Sequence, residues 1–216
     1  MAISAAQIKD LRERTGAPMG DCKRALEETE GNTDKAIEYL QKKALATAAK
    51  KSGRIAAEGR VGAYVHHDGK TAVLIEVNSE SDFVANTDDF KELVSNLCLQ
   101  IAAMSPRWVR REDVPAGELA TQRGIYEAQV RELGKPENLV AKIAEGKLNA
   151  WYGDVCLLDQ TFVKDDKLTV GKWLAERIGK CGENLVVRRF VRYELGEGLE
   201  KRSDDFAAEV AKMAEA

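Results

Sequence analysis

The run Ile75-Glu76-Val77-Asn78-Ser79-Glu80-Ser81-Asp82-Phe83-Val84-Ala85 gathers the residue types most able to act on another molecule. It begins as an apolar strand. It ends in an acid, a large aromatic and a β-branched residue where a turn is due. A carboxylate at Asp82 has three uses: metal ligand, general base, or cap or loop acid at a helix start. Apart from Glu80 and the Asp88-Asp89 pair, the neighbouring sequence offers no second acid to share a metal, and these stand at no clear ligand spacing. Phe83 is either the core anchor of the following helix or a rigid probe mounted at the end of a strand. On residue type alone, the cap and the anchor are the ordinary readings.

Other chemistry is sparse. The chain has no GxxxxGK(S/T) loop, no GxGxxG after a strand, no HExxH and no GxSxG, so neither a phosphate cradle nor a hydrolytic motif is present. His66 and His67 are adjacent on a predicted strand, which sends their side chains to opposite faces and away from a shared metal. Cys22, Cys98, Cys156 and Cys181 are far apart with no CxxC pair, which argues for buried or free thiols rather than zinc. No metal, cofactor or catalytic residue is expected, and the chain does not read as an enzyme.

Composition narrows the partners. Of 216 residues, 32% are charged and 44% hydrophobic, with a net charge of -3 and a pI near 5.6. A whole-molecule attraction to nucleic acid is therefore not expected. The basic stretch Lys42, Lys43, Lys50, Lys51, Arg54 and Arg60 lacks interleaved aromatics for base stacking and reads as a solvated helical linker. Arg188, Arg189 and Arg192 read as edge or surface charges. No apolar run approaches the roughly 20 residues of a membrane span, and Met1-Ala2-Ile3-Ser4 does not open a secretory signal. A cytoplasmic protein is expected.

Several elements must position the Ile75–Ala85 run. Residues 4 to about 50 read as three short helices. Ser4 and Gln7 have capping-box spacing before Ile8 and Leu11. Thr15-Gly16-Ala17-Pro18 and Gly31-Asn32 make the breaks, and Cys22, Ala25, Leu26, then Ala36, Ile37, Leu40, make apolar stripes. Residues 46–60 read as a linker, helical at its start. Val61–Val65 and Thr71–Val77 have strand patterns around Asp68-Gly69, a hairpin signal. Phe90, Leu93, Val94, Leu97, Ile101 and Met104 predict a helix from about Asp88 to Met104. Residues 117–150 read as a projecting helical hairpin broken at Gly134-Lys135-Pro136, with Leu119, Tyr126, Val130 and Leu133 facing Leu139, Ile143 and Leu148. Val155–Val163 reads as irregular and extended, and Thr169 caps a helix through Ile178. Leu185–Leu195 reads as a strand with Val187, Val191, Tyr193 and Leu195 on one side. Ser203 caps a last helix carrying Phe206, Val210 and Met213. The class is α+β, with antiparallel strands packed against helices.

Four stretches together resemble the elongation factor Ts family over nearly the whole chain. They are Leu11–Ala17 with Asp21–Leu26; Ala48–Lys51 through Ala56–Gly59; Glu76–Asn78 with Ser81–Ala85; and Val191–Lys201 with Asp205–Val210. The resemblance implies a ubiquitin-associated-like three-helix domain over 1–52, a core over 53–202 with a helical hairpin near 117–150, and a C-terminal helix over 203–216. It also implies a non-covalent function. The chain would act as the guanine nucleotide exchange factor of elongation factor Tu, displacing Mg²⁺ and promoting GDP release. By the same resemblance Ser81, Asp82, Phe83 and Val84 dislodge the Mg²⁺, while Leu11, Met19, Lys23, Phe206 and Val210 add partner contacts. The family usually has Thr at Ser81 and often a second Met at Gly20. Larger members carry a second half of the core that this chain lacks, which leads to an expected homodimer completed by two-fold symmetry. A polypeptide-binding adaptor and a metal-dependent hydrolase using Asp82 and Glu80 are the competing classes. The first has no need of Ser81–Ala85.

Overall fold

A computed structural model describes residues 3–199. The expected helix over 203–216, with Ser203, Phe206, Val210 and Met213, lies outside the described residues. Three helices open the chain: α1 (Ala5–Thr15), α2 (Met19–Glu28) and α3 (Thr33–Lys51). Ser4 and Gln7 close the capping box that begins α1, and Gly16 ends it in a left-handed conformation, φ 66°. Leu11, Cys22, Ala25, Leu26, Ala36 and Leu40 form the small core among these helices. α3 is longer than its apolar stripe, because the Ala- and Lys-rich run 44–51 carries the helix into the start of the 46–60 linker, which was expected to be helical there. Its far end reaches the rest of the molecule: Ala48 packs on the main core.

The main sheet has three antiparallel strands in the order β1 (Glu58–Val65), β2 (Thr71–Ser79) and β5 (Val186–Glu194). Against its inner face lies α5 (Asp88–Met104), and α8 (Val170–Cys181) adds side chains to the same core. Val73, Ile75 and Val77 alternate inward from β2 and share one core with Leu93, Leu97 and Ile101 of α5 and Trp173 and Ile178 of α8. Gly62 lets α5 come close: a methyl group there would lie 2.2 Å from Val94 Cγ1.

The β5 pattern departs from the sequence expectation. A bulge at Arg188 shifts the register between Glu76 and Val77, so Val187 pairs with Val77 but Arg189 pairs with Glu76. Side-chain parity flips at that point. Val187 therefore points inward with Phe190 and Arg192, while Val191 and Tyr193 turn to the outer face beside Leu74. The two histidines also depart from expectation. His66 and His67 follow the last residue of β1, where alternation has ended, and their rings lie 4.2 Å apart.

The remaining elements are a hairpin of α6 (Ala116–Glu132) and α7 (Glu137–Val155), and a small ribbon of β3 (Thr161–Phe162) and β4 (Asp165–Thr169). Thr169 caps α8 as its sequence predicts. The hairpin seam differs in part from expectation. Leu119 and Tyr126 pack in the cluster of Leu148, and Val130 is buried as expected; on α7, however, the buried row is Val140, Ala144 and Leu148, spaced by four, whereas Leu133 and Leu139 are exposed near the tip. Of the Val155–Val163 segment read as irregular and extended, Val155 ends α7 and the rest is a tight turn leading into β3. It is held by a bridge between Cys156 and Trp108. Beneath that turn Gln100 and Gln160 are fully buried and bonded to each other at 3.1 Å.

Candidate functional site

β2 delivers Ser79 into the core, and the chain then leaves the sheet through a short knuckle. Ser79 Oγ donates to Ser81 O at 2.9 Å. Glu80 Oε1 accepts the Asn184 backbone N–H at 2.6 Å and lies 3.5 Å from Arg54 Nη1. Ser81 is extended, φ -129° and ψ 156°, and caps one helical turn, α4 (Asp82–Ala85), by accepting the Val84 N–H. Ala85 is buried and Val84 packs against the main core, so the turn is anchored on its inner side. Its end is closed as well. Asn86 Nδ2 donates to Asp82 O at 2.9 Å, and Thr87, which donates its hydroxyl to Val84 O, caps α5.

What remains on the outer side is Asp82 and Phe83. Asp82 is exposed, and Phe83 is 83% exposed. The anchor reading of Phe83 is therefore excluded; the residue that anchors α5 is Phe90, 3% exposed. A phenyl ring held in water on a short, hydrogen-bonded turn is an unsatisfied apolar surface, which a second molecule can cover.

The other sequence-predicted positions are dispersed. Met19 and Lys23 stand one turn apart on α2, both exposed, with Lys23 paired to Glu27 at 3.7 Å. Leu11 is a correction. It is fully buried in the small helical core, so it supports the surface of the three helices without contacting a partner. Helical periodicity placed it on the apolar face, and in a three-helix layer this thin the apolar face is the core. Phe206 and Val210 lie outside the described residues. Sequence reasoning missed Glu183 and Asn184, which follow α8 and grip Ser81 and Glu80. They stand more than a hundred residues from the knuckle in a polar loop, with no periodic signal to mark them.

Among the described residues no group of His, Cys, Asp and Glu could hold a metal ion. Burial pushes the thiols of Cys98 and Cys156 up to about 11, which keeps them protonated and unreactive. An open cleft of about 630 Å³ between the first three helices and α8 contains neither a nucleophile–base pair nor any residue of Ser81–Val84. Among the described residues no helix is long and apolar enough to cross a membrane.

The fold and site define a protein of the α+β class in which three N-terminal helices and a sheet scaffold mount an exposed aromatic and its acidic neighbour. The family model for elongation factor Ts matches residues 2–197. The chain is 54% identical to elongation factor Ts of Geobacter sulfurreducens over 214 residues, covering 99% of each protein. It is 55% identical to that of Desulfitobacterium hafniense over 210 residues, 97% of each. It is also 55% identical to that of Carboxydothermus hydrogenoformans over 209 residues, 97% of this chain and 96% of the relative. The chain belongs to the elongation factor Ts family, the nucleotide exchange factors of translation elongation.

Proposed function

We propose that this protein exchanges guanine nucleotide on elongation factor Tu by pressing the Ser81–Val84 turn against the GTPase where it holds Mg²⁺ and GDP. The observation that carries this is the exposed Phe83 ring on a turn whose backbone is fixed at both ends. Covering that ring stabilises the complex by about 2 kcal/mol of apolar burial. Phe83 acts as a wedge between side chains that support the Mg²⁺ shell, and Asp82 competes electrostatically for groups of that shell. Ser81 and Val84 hold the two in register. Met19 and Lys23 on α2, with Phe206 and Val210, add docking contacts. A translation factor works in the cytoplasm beside its GTPase.

The energetics are those of linkage. The factor must bind the nucleotide-free GTPase better than the GDP-bound one, and nothing else drives release. By reciprocity GDP or GTP weakens the factor's own binding, so it leaves when exchange is complete. A coupling of about 3 kcal/mol changes GDP affinity roughly a hundredfold. Phe83→Ala removes the wedge and leaves the docking surfaces. Stopped-flow release of a fluorescent GDP should slow by about tenfold or more at saturating factor. The complex should form with little change. An unchanged release rate rejects the wedge.

Two further readings belong to this proposal. The chain divides near 52/53 into a three-helix unit and a core, because the first helices have an apolar cluster of their own. Two copies associate through the outer sheet face, which exposes Val61, Val65, Leu74 and Tyr193, at 71%, 65%, 48% and 69% of their surface. Their cross-strand partners put all four on one side. A soluble sheet face normally alternates to polar residues on its open side.

A further inference from the structure

We propose that Glu183 is a positioning residue for nucleotide exchange, acting through Ser81 to set the pose of Phe83. The inference rests on the wedge reading of the turn. α4 has four residues, too few to hold a helical turn by their own hydrogen bonds. Its N-cap bond, Val84 N to Ser81 Oγ, is 3.4 Å long, at the weak end of the useful range. The strong bonds at this point come from elsewhere. The Glu183 carboxylate accepts the Ser81 backbone N–H at 3.0 Å on one oxygen and the Ser81 hydroxyl at 2.6 Å on the other. Two charge-assisted bonds to one residue fix both its place and its orientation. Since Ser81 directs the first residues of α4, the same two bonds aim the ring of Phe83.

The loop that carries Glu183 is itself held. Gly182 ends α8 in the left-handed region, φ 79°, and the Glu183 N–H points at Cys181 Sγ at 3.5 Å. Asn184 is buried; its backbone N–H donates to Glu80 and its side chain donates to Arg54 O at 2.9 Å. Lys51, at the end of α3, donates to the carbonyl of Gly182. One short loop therefore joins the end of the first three helices, the end of α8 and the knuckle that bears the wedge. Glu183 itself bonds to Ser81, not to Asp82 or Phe83, so its influence on exchange passes through Ser81.

The test is a double-mutant cycle on the full-length protein, read by release of a fluorescent GDP from elongation factor Tu. Glu183→Ala should lower the release rate at saturating factor about tenfold, the effect of losing one charged hydrogen-bond pair. The concentration giving half the maximal rate should stay nearly constant. In the Phe83→Ala background the same change should cost much less than tenfold, because the ring is gone and only Asp82 is left to place. Glu183→Gln, which still accepts the Ser81 N–H, should regain most of the rate. Should Glu183→Ala melt below the assay temperature, Glu183→Gln gives the same cycle, with a smaller loss that again shrinks beside Phe83→Ala. A wild-type rate for Glu183→Ala, or losses that multiply in the double variant, overturns the positioning role and leaves the wedge standing. A wild-type rate for Phe83→Ala overturns both.

Discussion

Phe83 and Glu176 are each held against their chemical preference, one apolar in water and one acidic in a partly closed cleft. The ring costs the free protein apolar exposure that only a complex relieves. Burial raises the pKa of the Glu176 carboxyl, an effect offset in part by Arg177 and by a hydrogen bond from Gln41. Its stabilising contribution is thus complete below its ordinary value of 4.5. It is lost as pH rises through the higher folded value, because the folded state resists ionisation. Glu176→Gln should raise the melting temperature at pH 7, and the gain should vanish near pH 4, where the glutamic acid is already neutral. Thermal melts at the two pH values check this; a destabilised Gln variant at pH 7 would contradict it. At this scale the sequence was informative about type and silent about exposure. Asp82-Phe83 stood out as an odd pair, yet nothing in the string separated an anchor from a probe. Leu11 failed the other way: its motif pointed to a surface role, and packing put it inside.

Elements with a long apolar period were legible in the sequence, and those made by single polar residues were not. The α5 boundaries, the Ser4 and Thr169 caps and the break between α6 and α7 follow from 3.6-residue spacing and capping chemistry. The turn at 155–163 did not, because what organises it is a buried pair of amides. Gln160 Nε2 donates to Met104 O at 3.1 Å and to Asp154 O at 2.8 Å, tying the ends of α5 and α7. Gln100 Nε2 donates to Thr161 O at 3.1 Å, and its Oε1 accepts the Val163 N–H at 2.9 Å. Gln160→Leu would leave the Met104 and Asp154 carbonyls without this donor and the buried Gln100 amide short of a partner. It should cost about 2–4 kcal/mol in urea unfolding and loosen the base of the α6–α7 hairpin. Stability equal to that of the wild type would mean that water or a shifted Gln100 replaces those bonds.

For the whole molecule, the open side of the sheet is the least economical surface. Glu76 lies on that side between Arg188 and Arg189, both at 2.7 Å, and hydrogen bonds from the two guanidiniums hold its carboxyl below the usual range. The rest of the face is mainly aliphatic and aromatic. An association through it would bury Leu74 near its centre, so Leu74→Glu should convert a dimer to a monomer in sedimentation equilibrium at micromolar concentration, with the fold retained. A wild-type protein already monomeric there would end the two-copy reading. The sequence reached the idea of an uncovered layer from the missing half-core but assigned the wrong mates, grouping Val187 with Val191 and Tyr193. The bulge at Arg188 is invisible to a period-2 count. One inserted residue thus decides whether a whole row of side chains feeds the interior or is left for company. A lineage could gain or lose that sociable surface by a single-codon indel, with no change in the composition of the strand.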